Sequence, residues 1–217
     1  MERNNELCAM QILVIAATKL EIAPFITDNK QAEILITGLG VPATLYQLQK
    51  KLQQHTTSIV IQAGFAGAFT KDFQLGDTVL VKQDTFADIG MEEKNSFTSV
   101  FNAGLADENQ FPFSKGWLIN QSDIFSRSHL PSVKAITLNK VSDSLLQKQQ
   151  AVDNFAPQTE SMEGAALHYV CLQEGIAFIQ IRSISNLVGE RDKSKWKVKE
   201  AIISLNKELT ELIEKML

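Results

Sequence analysis

With 217 residues, 44% hydrophobic and 21% charged side chains, the chain has the composition of an ordinary globular protein long enough to bury a full core, which excludes a disordered or fibrous polypeptide. A formal net charge of -4 excludes the broad Lys/Arg surface that phosphate backbones require, so no nucleic-acid partner is expected. Two distant cysteines (Cys8, Cys171) and three scattered histidines give neither a disulfide framework nor metal-ligand spacing, so no metal, no redox cofactor and a reducing cytoplasm are expected.

Near the start, CAMQILVIAA has the apolar run of a signal peptide, but Glu2 and Glu6 flank it and TKLE stands where a small-residue cleavage site belongs. QILVIAA (11–17) is therefore read as a first buried strand. Short apolar runs rich in β-branched residues follow at AEILIT (32–37), SIVIQAG (58–64), DTVLVK (77–82), AITLNKV (135–141) and IAFIQIRSIS (176–185), all of strand length. None approaches the ~18 uninterrupted apolar residues of a membrane span, so no membrane partner is expected.

Between the strands lie helical patterns. PATLYQLQKKLQQH (42–55) puts Leu45, Leu48 and Leu52 on one face, with Pro42 suited to a first turn. SMEGAALHYVCLQEG (161–175) predicts a helix capped by Ser161 and stopped by Gly175. The tail from Lys197 spaces Val198, Ile202, Leu205, Leu209, Leu212, Ile213 and Met216 as an amphipathic helix. The polar interval 84–131 predicts long loops around a site, with WLIN (117–120) as its one strand.

Strands alternating with helices predict an α/β fold: a twisted, mixed but mostly parallel sheet flanked by helices, in a single domain over 1–217. Ligands of such sheets bind beyond the carboxyl ends of the strands. Three strand ends therefore matter: TKLE ending in Glu21, AGFAGAF (63–69), and Asn186 after IAFIQIRSIS. SMEG (161–164) opens the helix before the last of these. Singly, each has an ordinary structural reading: Glu21 as a helix-start carboxylate, AGFAG as a tight strand-to-helix turn, Asn186 as a turn former.

Together and in this order they resemble the nucleoside phosphorylase and nucleosidase superfamily, across essentially the whole chain. The resemblance implies that Glu21, four residues after Ala17, activates water, and that AGFAG, with Gly64, Phe65 and Ala66, stands for the glycine-rich loop TGSAGG. It further implies that Met162 and Glu163 clamp the ribose and that Asn186 of RSISN, matching RAISD, contacts the purine. Phe65 falls where relatives often carry serine. Phe86, Leu145 and Leu146 are assigned to base stacking from loop position alone, and relatives imply a homo-oligomer.

The implied chemistry is cleavage of an N-glycosidic bond. It needs the ribosyl cation stabilised, the leaving base hydrogen-bonded, and a nucleophile on the opposite face. Phosphorylases of the hexameric branch carry arginines where this chain has Glu21 and Gln62. A carboxylate there repels phosphate by about 1 to 4 kcal/mol at 4 Å and effective dielectric 80 to 20, so water is the expected nucleophile. Relatives that act on methylthioadenosine carry aspartate at the position of Asn186. An amide offers NH₂ donors that match the N7 and O6 acceptors of a 6-oxopurine, so hypoxanthine or guanine is the expected leaving base. The run Arg191, Lys193 and Lys195 reads either as a solvated loop or as a contact to a substrate carboxylate.

Overall fold

The computed structural model describes residues 10–216, so Cys8 and Leu217 lie outside the described residues. In chain order the elements are β1 (Ile12–Ala16), α1 (Ala23–Asp28), β2 (Glu33–Ile36), α2 (Val41–Gln54), β3 (Ile59–Ala68), β4 (Thr78–Asp84), β5 (Gly90–Glu93), β6 (Ser96–Ser99) and β7 (Leu118–Ile119). There follow α3 (Ile124–Arg127), β8 (Ser132–Thr137), α4 (Leu145–Phe155), β9 (Thr159–Ser161), α5 (Gly164–Glu174), β10 (Ala177–Leu187) and α6 (Val198–Glu214).

β1 explains why the sheet is covered twice. Its residues are buried on both faces, and successive side chains point opposite ways. Ile12, Val14 and Ala16 join Leu205, Leu209, Leu212 and Ile213 of α6 in one core, while Leu13 and Ile15 meet Leu48 of α2 and Leu167, Val170 and Cys171 of α5 in another. The tail helix forms as its spacing predicts. Pro42 sits in the first turn of α2, and Gly175 ends α5 at φ 65, a left-handed conformation that costs glycine little.

β2 and β1 lead in parallel to β3, and β3 pairs in parallel with β10. Beyond β10 the sheet curls: β10 pairs antiparallel with β4, β4 in parallel with β8, β8 in parallel with β9, and β9 returns antiparallel to the far end of β3. The sheet is thus mixed and mostly parallel, and part of it closes into a ring. Ala66, Ala68, Val79, Val81, Val133, Ala135 and Ile184 fill that ring, small enough to suit a narrow interior. No helix of the described residues is long and apolar enough to cross a membrane.

Several local expectations are corrected. AGFAG is not a turn but the second half of β3, because Ala66 and Ala68 are needed inside the ring and the strand runs on beside β10. Asn186 likewise lies within β10 rather than after it. The strand expected at 135–141 is β8, which ends at Thr137 and leaves 138–141 as a loop. Interval 84–131 carries more than WLIN: β5 and β6 form a separate hairpin that turns through Lys94 (φ 50) and Asn95 (φ 62), the left-handed pair that matches strand twist. α1 and α4 were not expected as helices. α4 buries none of its residues, so it has no apolar stripe to reveal it, although Ser144 caps it by accepting from the Gln147 amide. Ser161 belongs to β9, and Glu163 is the residue that precedes α5.

Candidate active site

Glu21 stands between β1 and α1, 8% exposed. Its Oε2 accepts from the backbone N–H and the hydroxyl of Thr18, both at 2.9 Å, and its Oε1 accepts from the backbone N–H of Phe65 at 3.2 Å. The buried Asn206 of α6 fixes this corner from behind, donating to the Glu21 carbonyl at 2.9 Å and accepting from the Phe25 amide at 3.0 Å. The carboxylate is thus held at the carboxyl end of the sheet by β1, β3 and the tail helix together.

Glu163 precedes the first residue of α5 and makes no side-chain cap. It is released from that task because Oγ of Ser161 accepts from the Gly164 amide at 3.2 Å and Oγ1 of Thr137 accepts from the Ala165 amide at 2.8 Å. Its own carboxylate turns to the site, accepting from the Gly40 amide at 2.9 Å and lying 3.8 Å from the Arg182 guanidinium. Burial raises the Glu163 pKa above the ordinary carboxylate value, Arg182 and the Gly40 amide oppose the rise, and the Glu21 charge adds to it.

Arg182 is the residue the sequence reading missed. It is 2% exposed on β10, donates to Oε1 of Gln62 at 2.8 Å and to the Phe65 carbonyl at 3.4 Å, and reaches Glu163. Gly64 makes room for it: a Cβ there would collide with the guanidinium and press on Oε1 of Glu21. The available signal was an arginine inside an otherwise apolar strand, since buried charges are rare unless paired. The expected lack of cations near Gln62 is therefore amended. One guanidinium is present, 3.8 Å from the Glu163 carboxylate, and with Lys140 it faces the carboxylates of Glu21, Glu160 and Glu163 around the cavity, so the formal charges remain negative and still disfavour a dianion.

Beneath this cluster lies a buried polar layer. Asp84 accepts from the Thr85 amide at 2.8 Å, from the Thr137 hydroxyl at 3.0 Å and from Gln180 at 3.3 Å. Burial pushes its carboxyl up to about 7. His168, buried beside Phe178 with Nδ1 3.0 Å from the Leu118 carbonyl, is pushed down to about 4 by burial and is held neutral.

Glu21, Phe65, Ala66, Met162, Glu163 and Asn186 line one cavity of about 270 Å³, with Gly64 just behind its wall. Leu39, Val141 and Trp196 also line it; no motif pointed to them, because they come from loops. A larger cavity of about 420 Å³ adjoins, sharing Leu138, Lys140 and Glu160. Phe86, Leu145 and Leu146 do not line the cavity. Phe86 turns to Tyr169 of α5, with ring centroids 6.1 Å apart, and Leu145 and Leu146 are 80% and 51% exposed at the start of α4. Loop position was a poor guide for them, since the segment holding the two leucines is helical.

The arrangement places a hydrogen-bonded carboxylate, a buried second carboxylate, a thioether and an amide around one small cavity at strand ends. A family model for the phosphorylase superfamily matches residues 25–217. The chain belongs to that superfamily. Within it, the chain is 26% identical to the futalosine hydrolase of Thermus thermophilus over 216 residues, covering 93% of this chain and 94% of that protein. It is 24% identical to the 5'-methylthioadenosine/S-adenosylhomocysteine nucleosidase of Colwellia psychrerythraea over 179 residues, 75% of this chain and 70% of the other. The fold matches that of the futalosine hydrolase of Helicobacter pylori with a TM-score of 0.80 at 16% identity, covering 97% of this chain and 100% of that one. The phosphorylase-superfamily fold is also shared with the 5'-methylthioadenosine/S-adenosylhomocysteine nucleosidase of Helicobacter pylori, at TM-score 0.79 and 17% identity, over 96% and 99% of the two chains.

Proposed function

We propose that this N-glycosyl hydrolase acts on a 6-oxopurine nucleoside, and that its substrate is futalosine, split into hypoxanthine and dehypoxanthine futalosine on a route to menaquinone. The observation that carries the reading is Asn186. Its Oδ1 accepts from the Ser185 hydroxyl at 2.8 Å, which orients the amide, and its Nδ2 donates to the Leu187 carbonyl at 3.0 Å with one N–H left over. That remaining N–H is a donor for an acceptor on the base, as O6 and N7 are. The near full-length similarity to a futalosine hydrolase supports the same choice.

Glu21 activates a water on the far face of the sugar, while Glu163 accepts from ribose hydroxyls more strongly as positive charge develops on the ring. Met162 packs on the sugar. Of the three cations in the following loop, Lys195 is held by Glu190 at 2.8 Å, whereas Arg191 lies over the ring of Trp196, 5.8 Å from its centroid. Arg191 is therefore our candidate for the carboxylate of the futalosine side arm. A cytoplasmic homo-oligomer completes the reading, favoured by the buried free thiol of Cys171 and by the exposed apolar side chains of Leu39, Leu105 and Phe111.

The second reading is a methylthioadenosine or adenosylhomocysteine nucleosidase, favoured by relatives of that name. Incubation with futalosine, methylthioadenosine and inosine, with analysis of the released base, separates the two. Hypoxanthine from futalosine as the fastest product supports the proposal, and adenine as the fastest product rejects it.

A further inference from the structure

Gly67 of β3 is paired with Glu160 of β9 on one side and with Asn186 of β10 on the other. Directly paired residues in a sheet send their side chains to the same face, so Glu160 and Asn186 rise together with only a glycine between them. The register of β10 shifts between Ile184 and Asn186, and a bulge of this kind re-aims the side chain beside it. The space above Gly67 bears the marks of both neighbours. A Cβ there would lie 3.4 Å from Nδ2 of Asn186, 3.4 Å from Cγ of Glu160 and 3.1 Å from Cγ2 of Val188.

Both side chains lie within 3.4 Å of one point above Gly67, so Nδ2 of Asn186 and Cγ of Glu160 are less than about 7 Å apart, close enough for neighbouring atoms of one purine edge to bond to both at about 3 Å. Both residues line the cavity that holds Glu21 and Met162. Glu160 is half-buried, feels the charges of Lys148 and Arg191, and has no hydrogen-bond donor of its own among the described residues. Lys148 is itself engaged with the Val188 carbonyl at 3.0 Å. Burial raises the Glu160 carboxyl to about 7, the cost of leaving it without a donor.

We propose that Glu160 is a second base-reading residue, accepting the N1–H of a 6-oxopurine while Asn186 donates to the acceptors on the other side of the same edge. This rests on the 6-oxopurine reading above and adds the residue that enforces it. A 6-oxopurine carries hydrogen on N1, whereas a 6-aminopurine presents a bare lone pair there, which would face the carboxylate acceptor to acceptor. In its ionised form Glu160 thus favours hypoxanthine and guanine over adenine, at a position that no sequence motif marks.

The test uses futalosine and its N1-methyl derivative with the parent, Glu160→Ala and Glu160→Gln, reading kcat/KM together with the melting temperature. The parent should discriminate strongly against the N1-methyl compound. Glu160→Ala should lose about 10- to 100-fold on futalosine, the range for a hydrogen bond to a charged group, and the discrimination should collapse to within a few-fold. Glu160→Gln retains a carbonyl acceptor and should keep most of the discrimination. If the parent cleaves futalosine but both variants lose activity equally on both substrates, or lose none, Glu160 belongs to the scaffold and the inference is overturned while the 6-oxopurine reading stands. If the parent prefers methylthioadenosine to futalosine, the 6-oxopurine reading falls and the role of Glu160 falls with it.

Discussion

Replacing Glu21 by glutamine removes the proposed general base while keeping the shape, and the structure sets three consequences. The amide carbonyl takes the place of Oε2 and keeps the two donors of Thr18, which leaves the new NH₂ facing the Phe65 N–H donor to donor. Losing that charged hydrogen bond costs about 1 to 3 kcal/mol, partly offset by relief of the repulsion that Glu21 exerts on Glu163. A net loss of about 1 to 2 kcal/mol lowers the melting temperature by about 2 to 8 °C in a chain of this size. Turnover should fall much further, by about 100-fold or more, the scale of a positioned general base. Removing the Glu21 charge should also bring the pKa of Glu163 down, so the acid limb of any residual activity moves to lower pH. Steady-state base release, thermal unfolding and a pH profile on the same preparation read all three effects. A folded Glu21→Gln variant whose kcat stays within tenfold of the parent would mean that another group activates water.

Asn186→Asp keeps the bond from Ser185 but sets a carboxylate oxygen against the Leu187 carbonyl and against O6 of the base, so the ratio of kcat/KM for futalosine over methylthioadenosine should drop tenfold or more; an unchanged ratio would return Asn186 to a purely structural role. Glu163→Gln keeps the bond from Gly40 but weakens hydrogen bonds that strengthen with ribosyl charge, so kcat should fall more than KM rises; an effect confined to KM would make Glu163 a passive ligand of the sugar. Asp84 has a folded pKa of about 7, above its unfolded value near 3.8, so the penalty for ionising it is absent at low pH and grows as pH rises between these values. Asp84→Asn, whose NH₂ can meet the unpartnered Oε1 of a reoriented Gln180, should therefore gain about 2 to 3 kcal/mol relative to the parent between pH 4.5 and 7 in denaturant unfolding; a constant difference across that range would contradict the shift.

The parts legible in the sequence were those with a strong period or a fixed order. The doubly buried strands, the tail helix and the residues Glu21, Met162, Glu163 and Asn186 all announced themselves in this way, and the structure gathers those four around one cavity. What escaped was set by tertiary demand. The glycine-rich segment reads locally as a turn, yet closing the ring of strands needs Ala66 and Ala68 inside it, and so it remains extended. Arg182 is hidden in an apolar run, where its role depends on Gln62, 120 residues away. The exposed α4 and the β5–β6 hairpin bury too little to print a pattern, which is why Leu145 and Leu146 were misplaced. Glu160 carries no local signal, since its neighbourhood with Asn186 exists only across Gly67.

Whether water or phosphate takes the sugar turns on the charges at the site: Arg182 lies 3.8 Å from Glu163 and Lys140 lines the same cavity, but the carboxylates of Glu21, Glu160 and Glu163 outnumber these cations and disfavour a dianion. The direct measurement is hypoxanthine release from futalosine across a phosphate titration from none to saturating, with the sugar product identified. A rate independent of phosphate, with free dehypoxanthine futalosine as the product, is the predicted result. A rate that rises in proportion to phosphate, with a sugar 1-phosphate as the product, would contradict it.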